Sequence, residues 1–110
     1  MQFFDNDIVR SNSTELMITY EDLIDLMQSD RFRTKEGRDE YLKKMSRLLE
    51  LQEMLYFRAV YSEEGDAKEY IDVIKKTFPL VAQEGETDPF QTFRRMKREL
   101  ALLKQQADQS

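Results

Sequence analysis

Apolar residues recur at intervals of three and four along most of the chain, the pattern of helices that each bury one stripe. The first stripe reads Ile8, Asn12, Leu16, Tyr20, Leu23 and Met27, widened by Val9, Ile24 and Leu26. Asp5 can accept from the free amides of a first turn, and Phe4 and Val9 stand at hydrophobic-staple spacing around it. The spacing therefore predicts a first helix from Asp5, continuous through Ser11–Thr14 rather than starting near Ser13. After a short link around Phe32, Thr34 can cap a second helix carrying Tyr41, Leu42, Met45, Leu48, Leu49, Leu55, Tyr56 and Ala59. Leu51, Met54, Phe57 and Val60 make its later half apolar nearly all round, so two or more neighbours must cover it, from this chain or another copy.

The short link makes the two helices an antiparallel hairpin over residues 5–62. If it is symmetric about Phe32, residues whose numbers sum to about 64 lie level. Asn12 and Gln52 satisfy that sum, and both are polar within apolar stripes. They either meet across the hairpin and fix its register, as a buried amide does in a coiled coil, or lie at a stripe edge in contact with water.

Turn residues cluster after Tyr61. Asp66 and Glu69 form an acidic capping-box pattern opening a third helix over 67–78, with the stripe Tyr70, Ile71, Ile74, Phe78; Pro79 ends or kinks it. Residues 79–88 read as irregular. Asp88, Pro89 and Gln91 then give cap, first helical position and third position of a fourth helix over 89–107, with Phe90, Phe93, Met96, Leu100, Leu103 and Ala107 on one face. The pattern predicts an all-α, bundle-like fold in one domain, residues 1–110.

Composition narrows the chemistry. The 110 residues contain no Cys, His or Trp and only three Gly and two Pro. Disulfides, thiolate zinc sites and cysteine nucleophiles are thereby excluded, as are histidine bases and ligands. No apolar run approaches the roughly 20 residues of a membrane-spanning helix, and the acidic opening is unlike a secretory or transit peptide, so a cytoplasmic protein without a membrane partner is expected. Glu21 and Asp25 stand one turn apart, but the order of acids, with Glu15 and Asp22, matches no ligand loop, and they read as solvating charge. Tyr20, Tyr41, Tyr56, Tyr61 and Tyr70 read as packing residues with wet phenol tips. No catalytic residue, cofactor or metal is expected.

The charge balance of 17 bases and 22 acids, net −5, is uneven. Residues 1–62 carry 12 acids and 9 bases, 63–89 carry 8 and 3, and 90–110 carry 2 and 5. The fourth helix thus concentrates base at Arg94, Arg95, Lys97 and Arg98. Such a cluster can hold phosphate oxygens through paired guanidinium hydrogen bonds; the simpler reading is a solvated face attracted to acids of its own bundle, of another copy or of an acidic protein complex.

The opening Phe3-Phe-Asp-Asn-Asp-Ile-Val9, the helical hairpin and Leu51-Gln-Glu-Met-Leu-Tyr56 together resemble a family of small cyanobacterial and cyanophage proteins grouped as a domain of unknown function. The similarity covers the first two helices, through Ser62 and Glu63. It implies a photosynthetic host or its virus, a helical fold and a cytoplasmic setting, with no activity to carry over.

These readings point to a non-enzymatic interaction protein, a homodimer or small oligomer, with Met54, Tyr56, Phe57, Val60 and Tyr61 as its contact surface. The alternative is docking of the basic fourth helix on nucleic acid or on a large acidic assembly such as transcription or light-harvesting machinery. An enzyme would need a polar pocket gathering several of Asp22, Asp25, Lys44 and Arg58.

Overall fold

A computed structural model describes residues 2–109. Four helices, α1 (Asp7–Met27), α2 (Lys35–Val60), α3 (Gly65–Thr77) and α4 (Pro89–Asp108), pack on one another, and the described residues contain no strand. The fold is all-α and bundle-like. Single 3-10 turns occupy Phe3–Asp5, Asp30–Arg33 and Phe78–Leu80.

The hub is α2. On one side Leu55 and Ala59 join Phe3, Val9 and Ala67 in a core flanked by Phe4, Leu16, Tyr70 and Ile71. On another, Leu49 and Tyr56 pack with Phe93 and Leu100 of α4. Leu51 is wholly buried. The all-round apolar surface of α2 is thus largely covered from within the chain, by α1, α3 and α4 in turn.

The antiparallel hairpin has the expected level. The Arg47 guanidinium makes a two-pronged bond to Glu15, at 2.5 Å from Nε and 2.8 Å from Nη2, and Lys44 Nζ lies 3.2 Å from Asp22. Both pairs have numbers that sum close to 64. Its closed end is tight at Gly37, which donates to the Thr34 hydroxyl at 3.0 Å. A Cβ there would fall 1.8 Å from the Arg31 carbonyl oxygen, so glycine alone fits against the preceding turn.

The start of α1 differs from expectation. Asn6, not Asp5, caps it, accepting from Ile8 and Val9 at 2.9 and 3.3 Å, while Phe3–Asp5 forms its own turn. The helix does run unbroken through Ser11–Thr14. Its inward face is Val9, Thr19, Leu23 and Leu26, with Asn12 and Leu16 half-buried; Ile8, Tyr20 and Met27 of the expected stripe face solvent. Both faces carry apolar residues at helical spacing, and the small Thr19 lets α1 approach α2 closely on the face that is chosen.

Likewise α3 begins at Gly65 instead of residue 67, and Asp66 lies inside its first turn and reaches across to the opening of the chain. Its carboxylate accepts from the backbone N–H groups of Phe3 and Phe4 at 2.9 and 3.0 Å, and also from Ala67 at 3.1 Å. Burial of this carboxylate works to raise its pKa, but the backbone donors Phe4, Phe3, Asp66 and Ala67 outweigh it and hold the group below the ordinary value. The start of α4 follows the reading: Asp88 caps it, Pro89 occupies the first turn and Gln91 completes the capping box.

Candidate functional site

Helical geometry divides the end of α2. Leu55, Tyr56 and Ala59 point into the two cores, whereas Phe57, Val60 and Tyr61 are 53, 42 and 75% exposed and Met54 is half-buried. Tyr56, expected on the contact surface, is 2% exposed and belongs to the interior, its ring edge-on to Phe90 at 4.9 Å and 6.1 Å from Phe93. Burial, then the charge of Asp88, pushes its phenol pKa up, so it stays neutral.

The exposed rings adjoin. Phe57 lies 4.9 Å from Tyr61, one turn on, and 6.2 Å from Phe90 of α4. Phe57 and Arg58 together line two hollows. One, of about 500 Å³, runs between α2 and α4 and is walled by Met54, Phe90, Arg94 and Lys97. The other, of about 580 Å³, reaches Phe3, Asn6 and Tyr61 at the open end of the hairpin. The result is a trough with aromatic walls and guanidinium groups along its margin.

The basic cluster of α4 does not act as one patch. Arg95 is turned to the 79–88 segment, where it bonds Glu86 at 2.8 Å and the Val81 carbonyl at 2.7 Å, with Glu99 also in reach; its side chain is 13% exposed. The Arg95 hydrogen bond, then that from the Gln83 amide, holds the Glu86 pKa below the ordinary carboxylate value. Lys97 Nζ is 2.8 Å from Glu53. Arg94 and Arg98 remain exposed and, among the described residues, have no carboxylate partner; the same holds for Arg58.

Arg58 is the residue that sequence reasoning undervalued. Its position beside Phe57, one turn after Met54, was the available signal. The register pair is also not joined: Asn12 Nδ2 is buried without a hydrogen-bond partner, and Gln52 lines a separate apolar hollow of about 590 Å³ with Leu55, Ile74 and Phe93. The level of the hairpin is marked instead by the Glu15–Arg47 and Asp22–Lys44 pairs.

The acids sort into separate places. Asp22, Asp25 and Lys44, three of the four groups named for an enzyme reading, share a polar hollow with Arg31 and Glu40 at the closed end, while Arg58 lies at the open end. Among the described residues no three Asp or Glu side chains converge as metal ligands would. The other tyrosines are scattered: Tyr41 packs edge-on to Phe32, Tyr70 packs on Phe4 with its pKa pushed up to about 12 by burial and then by Tyr56, and Tyr20 faces solvent.

The family described as a domain of unknown function, DUF1825, has a model that matches residues 1–107. The chain belongs to this family. The DUF1825 match runs through α3 and α4, beyond the hairpin on which the opening resemblance rests. No curated protein and no solved structure matches the chain. No described helix of this DUF1825 member is long and apolar enough to cross a membrane.

Proposed function

We propose that this protein is a non-enzymatic helical interaction module that works by self-association, or by docking on a larger complex, through the trough between α2 and α4. The observation that carries the reading is the adjacency of exposed Phe57 to Arg58 and Arg94, which have no carboxylate partner among the described residues, with exposed Tyr61 in the neighbouring hollow. Aromatic residues and arginine are the types enriched where protein interfaces bury their centres and concentrate binding energy. A cytoplasmic setting in a cyanobacterium or its phage is part of this reading.

Sedimentation velocity over a concentration series tests it, with Phe57→Ser and Tyr61→Ser in parallel. Concentration-dependent association that both substitutions weaken supports the proposal; a strictly monomeric protein that also retains no partner through this face overturns it.

One observation favours a second reading, nucleic-acid binding: Arg94 and Arg98 stand one turn apart, free of carboxylates, near the exposed Phe57 ring. Against it, Arg95 and Lys97 are engaged within the chain, and the net charge of −5 repels a polyanion. Binding to RNA or DNA that falls with salt and disappears on Arg94→Glu with Arg98→Glu favours this second reading; flat titrations remove it.

A further inference from the structure

Building on the self-association reading, we infer that the occupant of the trough is the outer face of α1 from a second copy of the same chain. That face is another apolar surface left uncovered among the described residues. The side of α1 turned away from α2 exposes Met17 at 61%, Tyr20 at 55%, Ile24 at 37% and Met27 at 54%. These residues follow at intervals of three, four and three, the spacing of a seam made to meet another helix. Glu21 stands beside this seam and Asp25 follows one turn on, at the margin of the closed-end hollow that holds Lys44; neither forms an ion pair among the described residues.

The two surfaces are both apolar and oppose in charge. The ridge presents apolar side chains with two carboxylates one turn apart. The trough presents Met54, Phe57 and Phe90, with Arg58 at its margin and Arg94 and Arg98 one turn apart on α4. Ridge against ridge would bring acids together, and trough against trough would bring guanidinium groups together, each a repulsive arrangement. Ridge in trough sets the two carboxylates against three guanidinium groups, so that opposite charges meet. The contact closes a two-fold dimer where ridge and trough of both copies engage reciprocally, and otherwise propagates head-to-tail into a ring or an open filament.

The decisive experiment exchanges the charges. Variant one carries Arg58→Glu and Arg94→Glu; variant two carries Glu21→Arg and Asp25→Arg. All four positions are exposed, and circular dichroism of each variant alone verifies its helical content. In sedimentation velocity, each variant alone should associate at least about tenfold more weakly than the unaltered chain, since its trough and ridge then carry like charge. An equimolar mixture should recover assembly, because the acidic trough of one meets the basic ridge of the other, and the unaltered trough and ridge still match. Met17→Ser with Ile24→Ser gives a second route to the ridge without altering charge, and should weaken association as well.

If both ridge variants assemble like the unaltered chain while variant one does not, this inference is overturned and the trough proposal stands with a different occupant. If folded variants fail to restore assembly on mixing, the inference is likewise overturned. If the unaltered chain is monomeric at every concentration, self-association itself fails, and with it this inference.

Discussion

The two ends of the α1–α2 hairpin are built differently. At the closed end the charges that face the helix pair have local answers: Arg31 with Glu40 at 2.5 Å, Lys44 between Asp22 and Glu40, Thr34 capping the turn, and Phe32 edge-on to Tyr41 at 5.2 Å. At the open end the exposed rings of Phe57 and Tyr61 meet at a tilt, and Arg58 has no carboxylate partner among the described residues. Exposed ion pairs add little stability, so the closed end gains mainly a defined register. The open end leaves aromatic area and guanidinium donors uncommitted. A helix pair cross-linked by ion pairs at one end, with aromatic rings left exposed at the other, indicates where association is useful.

Adjacent residues allow the sharpest test of that contrast. Tyr56→Ala empties an interior site and should destabilise the fold by about 4 kcal/mol in urea denaturation, whereas Phe57→Ala, its neighbour, should cost under about 1 kcal/mol and act on association instead. Equal losses of stability would mean that the exposed ring is part of the core after all. At the closed end, Gly37→Ala forces a methyl group into the Arg31 carbonyl and should cost about 3 kcal/mol, with little effect on sedimentation at matched folded fraction.

A smaller change of opposite sign is expected between the ends. Asn12→Leu replaces a buried, unpartnered amide nitrogen with an apolar group of similar size and should raise stability by about 1 kcal/mol. A loss of similar size would show that Asn12 has a stabilising role that the static geometry does not reveal.

The mildest perturbation is acid. Asp66 has its pKa lowered in the folded state from an ordinary 3.8, so its contribution is fully present above that value and is lost as pH falls through the lowered one. Amide exchange at Phe3 and Phe4 should therefore be indifferent to pH-driven detachment down to the ordinary carboxylate range, then show the turn released on the strongly acid side. Asp66→Asn should retain less protection at neutral pH than the native chain.

Much of this architecture is legible in the residue pattern. Four helices follow from the apolar stripes, the start of α4 from Asp88, Pro89 and Gln91, and the level of the hairpin from a link centred on Phe32. What periodicity does not decide is which of two competing faces turns inward. In α1, Val9, Leu16, Leu23 and Leu26 compete with Met17, Tyr20, Ile24 and Met27, and tertiary packing makes the choice. The same limit applies in α4, where Arg94 and Arg95 are neighbours in sequence but about 100° apart around the helix. One reaches Glu86, nine residues away, and the other reaches solvent. Asp66 was readable as a cap, but not as a cap for amides more than 60 positions earlier.

That last bond has a temporal consequence. A chain emerging from the ribosome presents Phe3 and Phe4 more than 60 residues before Asp66, whose carboxylate is the acceptor for their amides, so these amides wait through most of the hairpin's synthesis for their native partner. Until then, two adjacent phenylalanines remain without their native cover, beside the surface that is open to association.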